Sequence, residues 1–179
     1  ADFHASASAL HKSVVERQAV FAAAAVRSIA QLYRSTGQSD VRVTLLGHSM
    51  GGVVAQQALR LLHRSGHGDS VSALLLVSTP VLGHPLLLEP AMAKLGEDLR
   101  RELGAAGPGS RPPIVAVAGG ETDPLIPAEV AALPKDAAGR SLATPSMRNV
   151  HASFSHVNLL FSRPSLHALA GLVSGALDG

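Results

Sequence analysis

Ser49, Asp123 and His156 follow one another along the chain in the order nucleophile, acid, base. Side chains of these types can together transfer an acyl group. The histidine takes the serine proton, the serine oxygen attacks a carbonyl carbon, and the aspartate holds the imidazole in the tautomer that accepts that proton. The serine stands in Gly47-His48-Ser49-Met50-Gly51, with Gly52 next. Such a run serves the chemistry where a strand turns sharply into a helix, because the serine then sits at the tip of a turn too tight for neighbouring side chains. Gly47, Gly51 and Gly52 read as the residues that leave this room. The N–H of Met50 and the positive end of the following helix aim at the point where an oxyanion would form, so Met50 is the expected oxyanion donor. His48 reads as a packing or oxyanion-loop residue that faces away from the base.

The acid and the base each have rivals. Asp123 lies in Gly119-Gly120-Glu121-Thr122-Asp123-Pro124, just after a short apolar run, where a carboxylate on a late loop can reach the imidazole. Glu121 is the competing acid, and Asp-Pro is also an ordinary turn signal. His156 lies on a loop that opens the last helical stretch and fits the chain order of a serine, acid, histidine set. His151 is the second choice, and His167 reads as one face of the final helix.

The elements that would position these residues alternate between helix and strand. From about Ser8 to Tyr33, Leu10, Val14, Phe21, Ala25, Ile29 and Leu32 recur at three- and four-residue intervals and predict a long amphipathic helix. Val41 to Leu46 is the strand feeding the turn, and Gly52 to Arg64 is the helix behind it. Val71 to Ser78 is a second strand, with Leu74, Leu75, Leu76 and Val77 running continuously apolar as a strand buried on both faces should. Strand, helix, strand in this order implies a right-handed crossover and a parallel pair. Thr79 to Pro85 would then be a loop at the same edge as Ser49 and a wall of the site. Leu86 to Leu103 reads as a helix broken near Pro90, either packing or acting as a lid. Ala105 to Pro113 is a glycine-proline linker, and Ile114 to Ala118 is a third strand. Pro134 to Pro145 reads as an irregular surface excursion, Ser146 to Val150 as a short returning strand, and a last helix begins near Pro164.

The chain has 179 residues, 46% of them hydrophobic, which fits one domain with a substantial core. Aromatic residues are only 3%, so that core should be aliphatic, as suits parallel strands under helices. Lys and Arg number 15 against 13 Asp and Glu, with no basic run, which argues against a nucleic-acid partner. With 0 cysteines, neither a thiolate nucleophile nor a zinc-thiolate site is available. No apolar segment approaches the length of a membrane span. The opening residues, without an initiator methionine, suggest a fragment.

Taken together, these residues resemble the catalytic domain of the GPI inositol-deacylase family, lipase-like enzymes of the endoplasmic reticulum membrane. The resemblance rests on Asp2-Phe3, on Ser8-Ala9-Leu10-His11, on Leu32-Tyr33-Arg34, on the elbow from Leu46 to Ala55, on Thr79-Pro80, on Ala118 to Pro127 and on Ser153-Phe154-Ser155-His156. It implies an α/β-hydrolase fold: a mostly parallel sheet flanked by helices, with residues 1–179 a single partial domain whose N-terminal strands are missing. It implies Ser49 as nucleophile, Asp123 as acid and His156 as base, with neither metal nor organic cofactor, acting on an acyl ester on the inositol of a GPI anchor. Membrane association would come through parts of the parent protein outside this chain. Two departures stand out: the family usually has aspartate before its histidine and a tryptophan shortly after it, whereas this chain has Ser155 and, further on, Phe161. The family's oxyanion loop would lie upstream of residue 1, leaving Met50 as the donor here, and one such donor is worth about a hundred- to a thousandfold in rate. A generic soluble lipase or esterase, or a non-catalytic interaction module on the same frame, are the competing readings.

Overall fold

The computed structural model describes residues 11–83, 89–105 and 112–177. Its elements are α1 (Lys12–Ser35), β1 (Val43–His48), α2 (Met50–Arg64), β2 (Val71–Val77), α3 (Pro90–Ala105), β3 (Ile114–Ala118), α4 (Ala128–Ala131), β4 (Gly139–Ala143) and α5 (Arg163–Leu177). The strands form one parallel sheet in the order β1-β2-β3-β4. Parallel neighbours need crossovers, and α2 and α3 supply the first two.

Strand alternation sorts the core into two layers. Val43 and Leu45 of β1, Leu74 and Leu76 of β2, and Ile114 and Ala116 of β3 face α1, α2 and α3 in one apolar cluster. Val77, Val115, Val117 and Leu142 face the other way, against Leu159 and against Leu169 and Leu172 of α5. All seven residues of β2 are buried, which is why Ala73 to Val77 run apolar without alternation, while the buried Ser72 hydroxyl meets that of Thr44 at 2.8 Å. Parallel order also brings the carboxyl ends of β1, β2 and β3 to one edge, where Ser49, Ser78 and Gly119 follow them.

Two expectations change. The stripe Val14, Phe21, Ala25, Ile29 and Leu32 does not face the core: Phe21, Ile29 and Leu32 are 58%, 43% and 63% exposed. The buried face of α1 is instead Val15, Gln18, Ala19, Ala23, Val26 and Ala30. Small side chains at that spacing let α1 lie close on α2, which a row of leucines and phenylalanine would hold apart. Second, the stretch 134–145 is not irregular: it contains β4, paired in register from Ile114↔Gly139 to Ala118↔Ala143. The returning strand expected at Ser146 to Val150 is absent, with a 3-10 turn at Thr144–Ser146 followed by loop. β4 is an edge strand with Gly139, Arg140 and Ser141 exposed, so it lacks the apolar signature of a buried strand. The break expected near Pro90 is met by the start of α3 there, as suits a residue without an N–H to give to a helix interior. The expected helical start at Ser8, the segment 84–88 and the linker residues 106–111 lie outside the described residues.

Candidate active site

The elbow forms because β1 stops at His48 and α2 begins at Met50, leaving one residue to reverse the chain. Ser49 is that residue, at φ 54° and ψ −128°, a region that non-glycine residues rarely occupy. Its N–H donates to Val77 O at 2.9 Å, so sheet pairing extends into the turn, and Gly52 N–H donates to Ser49 O at 3.0 Å. Met50 is the first residue of α2, where an amide has no carbonyl of its own helix to bond and is free to hold an anion.

Two of the three glycines are required by close approach. A Cβ on Gly47 would lie 2.5 Å from Gly51 O and from Gly52 Cα, and one on Gly52 would fall on the Thr79 hydroxyl and within 2.6 Å of the Thr79 methyl. Gly51 differs from the expectation, since a Cβ there meets only open space. Thr79, fully buried just past β2, is therefore the wall against which the elbow packs.

The acid loop and the histidine loop are clasped together. Phe154 N–H donates to Gly119 O at 2.7 Å, the Thr144 hydroxyl donates to the same carbonyl at 2.7 Å, and Glu121 N–H donates to Ser153 Oγ at 3.3 Å. Within this clasp Asp123 Oδ2 meets His156 Nδ1 at 3.0 Å. Asp123 Oδ1 accepts the N–H groups of Leu125 and Ile126 at 3.1 and 3.0 Å. Both side chains are buried, that of Asp123 completely. Glu121, the rival acid, is exposed, as are His151 and His167.

His48 corrects the expectation that it faces away from the base. Its Nε2 donates to the main-chain carbonyl of His156 at 2.8 Å, and the two imidazole centroids lie 4.5 Å apart. Alternation along β1 points His48 to the α5 side of the sheet, where the 153–156 loop crosses. The residue before Ser49 thus braces the loop that carries His156. Sequence reasoning had a signal for this, the side of the strand opposite Leu45 and Gly47. Among the described residues no hydrogen bond joins Ser49 Oγ to His156, and no three His, Asp or Glu side chains converge as a metal site requires.

Burial raises the Asp123 pKa, but the Ile126 N–H, the His156 ring and the nearby Ser78 hydroxyl outweigh it and hold the carboxyl below its usual value. Ser78 Oγ is itself fully buried, makes no hydrogen bond of ordinary geometry, and sits on a residue with φ 40°. His48 is also lowered: burial is the largest cause and the neighbouring His156 adds to it, against the carbonyl bond and the Asp123 charge. A neutral His48 carries its hydrogen on Nε2, since a carbonyl can only accept. The native state therefore binds fewer protons at His48 than the unfolded chain does. Its contribution is complete above the unfolded value of 6.5 and is lost as pH falls through the lowered folded value. For Asp123 the same loss begins only below its ordinary 3.8. The urea midpoint is expected to fall between pH 7.5 and pH 5.5, and to fall less in His48→Gln; equal falls would remove His48 as a cause.

A family model described as a PGAP1-like alpha/beta domain matches residues 1–169. The chain belongs to this family. The PGAP1-like domain is 28% identical to the GPI inositol-deacylase of Neurospora crassa over 196 residues, covering 99% of the chain and 15% of that relative. It is 34% identical over 143 residues to the GPI inositol-deacylase of Cryptococcus neoformans var. neoformans, covering 79% of the chain and 18% of the relative. The chain thus spans less than a fifth of the length of these curated relatives. Among solved structures, an esterase of Pyrobaculum calidifontis superposes with a TM-score of 0.55 at 16% identity, covering 87% of this chain and 58% of that one. The esterase Est22 superposes with a TM-score of 0.53 at 16% identity, covering 88% and 55%. At such identity the likeness is one of fold, and that fold is the α/β-hydrolase sheet flanked by helices.

Proposed function

We propose that the PGAP1-like domain is the catalytic part of a serine ester hydrolase, with Ser49 as nucleophile, His156 as base, Asp123 as the acid that orients it and Met50 N–H as oxyanion donor. The observation that carries this reading is the buried Asp123–His156 bond, held beside the elbow by His48. His156 Nε2 takes the Ser49 proton as Ser49 Oγ attacks the ester carbonyl. The oxyanion lies against Met50 N–H, and Asp123 stabilises the imidazolium. Collapse breaks the ester C–O bond, His156 returns the proton to the leaving alcohol, and water then releases the acid from Ser49 by the same route. A hydrogen bond between serine and histidine often tightens only once substrate is bound, so its absence here is compatible with the scheme.

The substrate we propose is an acyl ester on the inositol of a GPI anchor, by analogy with the deacylase relatives, in the endoplasmic reticulum membrane. Residues 1–179 would act as part of one catalytic domain, and since no helix among the described residues is long and apolar enough to cross a membrane, other segments would supply the anchor. A recess of about 240 Å³ between α2 and α3, lined by Val53, Pro80, Val81, Leu82 and Met92 together with Glu97 and Arg100, is the surface we assign to part of an acyl chain.

A fluorophosphonate probe tests the reading. Label is expected on Ser49 and is expected to vanish in Ser49→Ala and His156→Ala. Release of fatty acid from inositol-acylated GPI but not from simple esters would support the named substrate, whereas the reverse would make this a generic esterase. Folded protein without label, in the chain and in its full-length context, would leave an interaction module on a hydrolase frame.

A further inference from the structure

At the edge of the sheet opposite β1, an open groove of about 1010 Å³ runs between β4 and α5. Arg140 on β4, Arg148 on the following loop, and Arg163 and His167 on the first turns of α5 stand around it. Its floor is apolar, with Leu142, Met147 and Leu172 drawn from the second core cluster. Arg42, Arg60, Arg64 and Arg101 each find a carboxylate within the chain. Among the described residues no carboxylate pairs with the groove arginines, and residues 139–177 themselves contain no Asp or Glu. Three cations around one recess repel one another unless an anion lies between them, and the positive end of α5 has the same sign.

The geometry points to a phosphate-ester binding site in this groove. Guanidinium groups present paired donors that match phosphate oxygens, and the apolar floor suits an ester whose body is not itself charged. Two sources supply that chemistry, the headgroup of an anionic phospholipid at a membrane surface or a soluble phosphorylated polyol. The site lies apart from Ser49 and does not depend on hydrolysis.

Binding is measured by sedimentation with phosphatidylcholine vesicles with and without phosphatidylinositol, and by calorimetry with inositol monophosphate. The groove variant carries Arg140→Gln, Arg148→Gln and Arg163→Gln. Its control carries Arg17→Gln, Arg42→Gln and Lys135→Gln, which remove the same charge from exposed positions elsewhere. The groove variant is expected to bind phosphatidylinositol vesicles roughly a hundredfold more weakly, the size of three cations acting on an anionic surface, with far less loss in the control. Loss specific to the groove variant with vesicles alone assigns a lipid headgroup, and with inositol monophosphate alone a soluble ester. Independently of any variant, inorganic phosphate should displace the unaltered protein more effectively than chloride at equal ionic strength. Equal weakening of both variants, equal displacement by the two anions, or no binding to either probe would overturn the assignment.

Discussion

Replacing Asp123 with asparagine is expected to lower kcat for ester hydrolysis by about ten-thousandfold, with KM changed only a few-fold. The size follows from where the hydrogen atoms must go. Asp123 Oδ1 accepts two main-chain N–H groups, from Leu125 and Ile126, so an asparagine must turn its carbonyl oxygen to that side. Its NH2 then faces His156 Nδ1, where Oδ2 had been an acceptor at 3.0 Å. The imidazole can meet that donor only by moving its own proton to Nε2. In that tautomer Nε2 has no lone pair for the Ser49 proton, although every heavy atom stays in place. Steady-state kinetics on a chromogenic ester, with folding followed by circular dichroism, would test this, and a loss below tenfold in a folded variant would remove Asp123 from the machinery.

The second large effect falls on folding. Gly52→Ala is expected to destabilise the protein by about 1–3 kcal/mol, the usual cost of forcing an extra carbon into a packed core. The new Cβ would overlap the Thr79 side chain, which is fully buried and has nowhere to retreat. Gly51→Ala, one residue earlier, is expected to cost little because its Cβ meets open space. Combining Gly52→Ala with Thr79→Gly should cost less than the sum of the two single changes, since it removes the atoms in conflict. Denaturant titration of the four proteins closes the cycle. Strict additivity would mean that the elbow does not rest on Thr79.

The sequence carried these features unevenly, for physical reasons. β2 and β3 are legible because their burial leaves near-continuous apolar runs, Ala73 to Val77 and Ile114 to Ala118, and the second matches to the residue. The pairing of Asp123 with His156 was expected from chain order, and the structure brings the two together while leaving Glu121, His151 and His167 exposed. β4 was illegible because an edge strand exposed along Gly139, Arg140 and Ser141 needs no apolar code. The face of α1 is hard to read because close helix approach selects small residues such as Ala19, Ala23 and Ala30 over the large ones that mark an amphipathic stripe. The place of His48 is hidden because its partner, the carbonyl of His156, lies on a loop far along the chain.

The clasp between the acid loop and the histidine loop bears on how such a site tolerates evolutionary drift. Phe154 N–H and Gly119 O make their bond whatever side chain residue 154 carries, and Leu159 N–H likewise reaches the main-chain carbonyl of Ser155. Heritable change is confined where a new Cβ would collide, at Gly119 against Phe154 O and at Gly120 against Ser153, and where a side chain is itself part of the clasp, at Thr144 and Ser153. Ser155 enters through its main-chain carbonyl, so its side chain falls among the positions left free to vary. A lineage can rewrite the side chains around His156 while inheriting its placement through the backbone.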